Sequence, residues 1–144
     1  MISAARLSGW FAVLLAIAAS ANEQPMSIGV IAIDMTVDSV TAKLGEPNRI
    51  VRNIDWFDET REYRELRVHA HAGYVIGIES ATSGICTGHA ACVGENFSPG
   101  RGAFAEYRHA RGNVYNRPGN DLCTFWLEVE SNLVVRVGVL CTPD

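Results

Sequence analysis

Four cysteines, a pair of histidines and two of the tryptophans are the residues here whose type and spacing can do chemistry. Cys86, Cys92, Cys123 and Cys141 form an even set, which in an exported chain reads as two disulfides. Four cysteines allow three connectivities, and strand register chooses among them. Residues 122–129 and 133–141 are rich in β-formers, with Glu130-Ser131-Asn132 between them. A turn centred on Asn132 sets Cys123 opposite Cys141, Glu128 opposite Arg136 and Trp126 opposite Gly138. That one register joins two cysteines, faces an acid with a base and lays an indole over a glycine. It predicts Cys123–Cys141, and Cys86–Cys92 follows by exclusion as the closure of a small loop. Alternation then makes Cys123, Phe125, Leu127 and Val129, with Val135, Val137, Val139 and Cys141, one apolar core face. Thr124, Trp126, Glu128, Arg136 and Gly138 fall on the other.

His69-Ala70-His71 puts two imidazoles on one face of a strand, a metal-binding spacing if Asp55 or Glu79 adds a third ligand. Arg67 shares that face and no fixed third and fourth ligands are identifiable, so the expectation is a solvated face with no metal or other cofactor. His89 lies between Cys86 and Cys92, where an imidazole can lower a thiol pKa. The spacing is not the C-x-x-C of redox motifs, and a structural disulfide is expected. There is no G-x-S-x-G elbow, H-E-x-x-H helix or P-loop, so an enzyme is not expected. Trp56 and Trp126 instead fall on predicted strands close to Arg67, His69, Glu128 and Arg136, the residue types from which interface hot spots are built. These six residues form the expected partner-binding face.

Positioning them requires strands, and 49–57, 61–71 and 74–79 are candidates, with turns at Asp58-Glu59-Thr60 and Ala72-Gly73. Two helices are expected. The first spans 36–44, with Thr36 as N-cap, Asp38 in the first turn, and Gly45 and Pro47 ending it. The second begins at Ser98-Pro99, carries Ala103, Phe104, Tyr107 and Ala110 as its stripe and closes at Gly112; Gly100 and Gly102 weaken its start. The order suggests tandem repeats near 27–80 and 86–144. The expected fold is α+β, with short helices packed on a curved antiparallel β-sheet in two helix-plus-strands repeats.

The N-terminus reads as a cleavable signal peptide over residues 1–21. Arg6 precedes an apolar run from Trp10 to Ala18, and Ala19-Ser20-Ala21 supplies small residues for cleavage. The run falls short of the roughly 20 residues that span a bilayer, so no stable membrane anchor is expected after cleavage. Residues 22–144 then form one disulfide-bonded domain, periplasmic or secreted. The net charge is −4 and Lys43 is the lone lysine, with no basic run that would suggest nucleic acid.

Ile33-Asp34-Met35-Thr36-Val37-Asp38-Ser39-Val40, continuing Thr41-Ala42-Lys43-Leu44-Gly45-Glu46-Pro47, resembles a recurring bacterial pattern. It is similar to the repeat openings of the β-lactamase-inhibitor-protein family and of the small outer-membrane-assembly lipoproteins of the SmpA/OmlA type. Trp56 and Val75-Ile76-Gly77-Ile78 answer to the aromatic strand and closing strand that follow there. Asp34 replaces the usual glycine, and the cleavage region has no cysteine to lipidate. The resemblance implies a helix on a curved antiparallel sheet and a non-catalytic exported binding protein. Its expected partner is a protein, a cell-wall hydrolase, a toxin or a β-lactamase-like enzyme, which it inhibits or gives immunity against. The alternative is an envelope-assembly or cell-surface accessory; a small hydrolase or metal-dependent enzyme ranks below both.

Overall fold

The computed structural model describes residues 26–143, so the expected signal peptide at 1–21 lies outside the described residues. A two-stranded hairpin comes first, β1 (Ser27–Ile28) and β2 (Ile31–Ala32), followed by the helix α1 (Val37–Leu44). Thr36 caps α1: its Oγ1 accepts from the Ser39 N–H at 3.1 Å, while Asp38 faces the positive end of the helix. Gly45, at φ 81°, ends it in a conformation that a side chain disfavours.

Eight strands then build one antiparallel sheet. They are β3 (Arg49–Ile54), β4 (Phe57–Glu62), β5 (Arg67–His71), β6 (Tyr74–Ser80), β7 (Arg108–Arg111), β8 (Val114–Pro118), β9 (Cys123–Glu130) and β10 (Leu133–Cys141). Their order in space is β3-β4-β5-β6-β10-β9-β8-β7. The sheet is thus two four-stranded meanders joined along their last strands, Gly138 pairing with Glu79 and Val139 with Ile78. One face is buried: Val68, Ile78, Val137, Val139, Phe125 and Leu127 meet Ile28, Ile31, Val40, Ala91, Val93, Phe97 and Phe104 from the covering segments.

The protein is therefore mostly β, and the expected α+β fold of helices packed on a sheet is corrected: α1 is the one α-helix among the described residues. The expected second helix from Ser98 is a 3-10 turn, Gly102–Phe104, followed by the β7–β8 hairpin. Gly100 and Gly102 hold φ of 73° and 53°, outside the helical region, and break the first turn. The stripe that suggested a helix is still half real, since Phe104 and Tyr107 are core. Ala110 is an exposed strand residue, and Gly112, at φ 52°, sits in the β7–β8 turn. Without that helix, the second of the expected helix-plus-strands repeats does not form.

Two smaller corrections concern strands. Asp58-Glu59-Thr60 is the interior of β4, not a turn. Glu59 is buried there against Arg61, 2.7 Å away, and Arg61 reaches Thr41 of α1. The turn lies instead between Ile54 and Phe57, leaving Trp56 at a hairpin tip rather than within a strand. In the last hairpin, Cys123 pairs with Cys141, Trp126 with Gly138 and Glu128 with Arg136. These are the expected pairs, but the turn is not centred on Asn132: Ser131 and Asn132 form it with Glu130 opposite Leu133, and a bulge supplies the one-residue offset. That bulge lies between Val134 and Arg136, so the fully buried residue is Val134 and Val135 is only half-buried.

Candidate functional site

Every covering segment packs on one face of the sheet, and the opposite face has no element over it among the described residues. Its centre is built from two facing rows of cross-strand pairs. One row runs Glu62, Arg67, Glu79, Gly138, Trp126 and Asn116 across β4, β5, β6, β10, β9 and β8. The next runs Thr60, His69, Gly77, Leu140 and Thr124. Side chains in these rows share a face because strand residues alternate.

Two glycines shape the floor. The Trp126 indole occupies the space where a side chain on Gly138 would stand, and Leu140 and His69 close over Gly77. These small positions let large groups lie down on the sheet, and the face forms a concavity of about 670 Å³. Its walls include Trp56, Leu122, Leu140 and Val114 with Glu79, Glu128, Arg111 and Arg136. That mixture of apolar wall and sparse charge is typical of binding surfaces.

Apart from Arg111, the charges are paired with one another. Arg67 donates to Glu62 and to Glu79, each at 3.2 Å. His69 Nε2 lies 3.6 Å from the second Glu79 oxygen, and His69 Nδ1 and Thr60 Oγ1 share a hydrogen bond of 2.7 Å. The Phe57 ring stacks on His69 at 4.5 Å, fixing its plane. Arg136 stands 3.6 Å from Glu128, which also accepts from the Asn113 amide at 3.2 Å. Burial alone would raise the Glu79 carboxyl, but His69, Arg67 and Arg136 outweigh it and hold its pKa below the ordinary value.

Of the six residues expected to form a contact face, Trp56, Trp126, Glu128 and Arg136 line this concavity. Arg67 and His69 stand beside it and join it through Glu79. His71 does not converge with His69 on a common partner; its Nδ1 faces Asp58 at 3.3 Å. Among the described residues no three His, Cys, Asp or Glu side chains gather to hold a metal ion. Glu79 is the residue that sequence reasoning placed least well. Its role depends on β6 pairing with β10, a contact between distant segments that no local pattern signals. Leu122 and Leu140 were missed for the same reason, while Phe57 was placed at a strand end and not seen as a support for His69.

Behind the sheet, Cys86–Cys92 and Cys123–Cys141 are both bonded and no free cysteine remains. Two disulfides fit a secreted or extracellular protein. None of the described helices is long and apolar enough to cross a membrane.

No protein-family model matches the chain, and no curated protein does. Among solved structures it is similar to an extracellular protein containing an SCP domain from Bacillus anthracis, with TM-score 0.56 and 14% identity. That match covers 76% of this chain and 44% of the other. A cysteine-rich secretory protein from Staphylococcus aureus matches with TM-score 0.50 and 9% identity, over 83% of this chain and 48% of the other. The chain spans less than half the length of each, and the likeness concerns the fold alone.

Proposed function

We propose that this is an exported, non-catalytic binding protein that inhibits, or gives immunity against, a partner enzyme docked on the open face of the sheet. The observation that carries the reading is the setting of Trp126. Its indole rests on Gly138 within an uncovered concavity, ringed by Glu79, Glu128 and Arg136. A broad aromatic anchor bordered by charges is how a protein contact gains both energy and register. Arg67 with Glu79 and Arg136 with Glu128 are engaged with each other, which suits a preformed docking surface better than a reacting centre.

Export is supported by the disulfides and by the likeness of the fold to an extracellular protein and a cysteine-rich secretory protein. The N-terminal pattern supports export of residues 22–144 to the periplasm or the medium. A cell-wall hydrolase, a delivered toxin or a β-lactamase-like enzyme is the expected partner, following the resemblance of the helix segment to the inhibitor family.

The test is capture of partners from an envelope extract on immobilised protein, followed by titration against the captured enzyme. Trp126→Ala is expected to weaken binding by at least tenfold, as loss of a hot spot of about 2 kcal/mol requires. Retention of no enzyme, or equal affinity in the variant, would refute the reading.

A further inference from the structure

We infer that His89 is an acid-operated latch, whose protonation releases the Cys86–Cys92 loop from the N-terminal hairpin and the covered face of the sheet. The loop is the clamp that holds these parts together. The Gly29 N–H donates to the Cys86 carbonyl at 2.9 Å, and the Gly88 N–H donates to the Ser27 carbonyl at 2.9 Å. Thr87 bridges to Ile28 on the same side. Within the loop, Ala91 donates its N–H to Thr87 Oγ1 at 3.0 Å, and Ala90 turns the chain at φ 69°. His89 is thereby pointed inward and is only 8% exposed.

The pocket that receives the ring accepts one protonation state. His89 Nε2 and the Tyr107 hydroxyl share a hydrogen bond of 2.8 Å, and the ring meets Phe125 edge to face at 4.5 Å. Nδ1 is buried with no hydrogen-bond partner. The facing charged group on β8 is Arg117, a cation whose own counterion is Glu106 at 2.7 Å. Phe125 is the contact from β9 and Tyr107 the contact from the segment after the 3-10 turn, so no carboxylate touches the imidazole. A second ring proton would therefore be a buried donor without an acceptor, set beside a guanidinium. Burial, with Arg117 adding to it, pushes the His89 pKa down to about 4.

A neutral buried histidine resists protonation in place and takes up a proton readily once exposed. With an ordinary pKa of 6.5 in the open loop and about 4 in the closed one, acid can raise the open population by at most about 300-fold. The disulfide limits how far the loop moves, so release exposes the hairpin contacts without unravelling residues 86–92.

Hydrogen exchange of backbone amides tests the latch on the intact chain. After correction for intrinsic exchange, protection at Gly29, Gly88 and Ala91 is expected to fall about 10- to 100-fold between pH 7.5 and pH 4.5. Amides on β9 and β10 should keep theirs. In His89→Gln, which has no proton to gain, the fall should vanish. Should that variant not fold, a ring-resonance titration of His89 in the unaltered protein replaces it. Protection that does not change with pH, an equal fall in the variant, or a His89 ring that titrates at its ordinary pKa with the loop still closed would overturn the proposal.

Discussion

Trp126 lies across Gly138, its partner on the neighbouring strand, and its indole fills the position that any Gly138 side chain would need. The pair is a lock rather than a simple contact. A strand glycine is ordinarily a weakness, and replacing one with a β-branched residue ordinarily helps the sheet. Here the sign reverses. Gly138→Val should cost about 1–3 kcal/mol, because the new side chain and the indole contend for the same space. Denaturant unfolding gives the cost and near-ultraviolet circular dichroism reports the moved ring. In Trp126→Ala the valine should be tolerated, giving a coupling above about 0.5 kcal/mol in the double-mutant cycle.

Acid should weaken the open face through Glu79. Its folded pKa is depressed, so its stabilisation is fully present above the ordinary value of 4.5 and is lost as pH falls through the lower, folded one. Glu79→Gln should cost about 1 kcal/mol at pH 7 by removing charge-assisted contacts with Arg67 and His69. The variant should also show a flatter loss of stability below pH 4.5. Melting curves from pH 2 to pH 7 for both proteins measure this; parallel curves would remove Glu79 from its central role.

The two disulfides should differ in worth. Cys123–Cys141 spans a sequence separation of 18 and Cys86–Cys92 one of 6. The chain-entropy estimate gives about 3 kcal/mol for the longer closure and about 2 for the shorter. Replacing each pair by serine and comparing denaturation midpoints checks the order. Equal losses would mean that the shorter bridge acts on native contacts, beyond restricting the unfolded chain.

One double substitution should stabilise. Ser131 and Asn132 form the two-residue turn between β9 and β10 with φ of 50° and 61°. That left-handed pair is what Asn-Gly adopts at least cost. Ser131→Asn with Asn132→Gly should add about 0.5–1 kcal/mol, read as a higher melting temperature.

The turn also explains what the sequence disclosed. The last hairpin was legible because three independent pairs, Cys123–Cys141, Glu128–Arg136 and Trp126–Gly138, agree on one register. Val135 escaped because a bulge leaves no mark in an alternating run of valines. Helix α1 was legible from Thr36, Asp38 and Gly45, which act within a few residues. Residues 98–110 misled because apolar spacing fits a helix while Gly100 and Gly102 hold φ values outside it. Strand β4 was hidden because Asp58, Glu59 and Thr60 look like a solvated turn. Only the fold supplies Arg61 to bury Glu59 and His69 to engage Thr60. The candidate face was legible in its residues but not in its assembly, which depends on Glu79 meeting Gly138 across the two meanders.

The joining of β6 to β10 also governs how the molecule is born. When the first meander has emerged, Val75, Ile76 and Ile78 sit on a strand whose outer edge has no neighbour, and the strand that will cover it is the last of these eight to be made. Until then the nascent chain carries an apolar, sticky border of the kind that invites pairing with other chains. Neither meander can finish alone, so the protein gains its candidate face and loses its aggregation hazard in the same closing step.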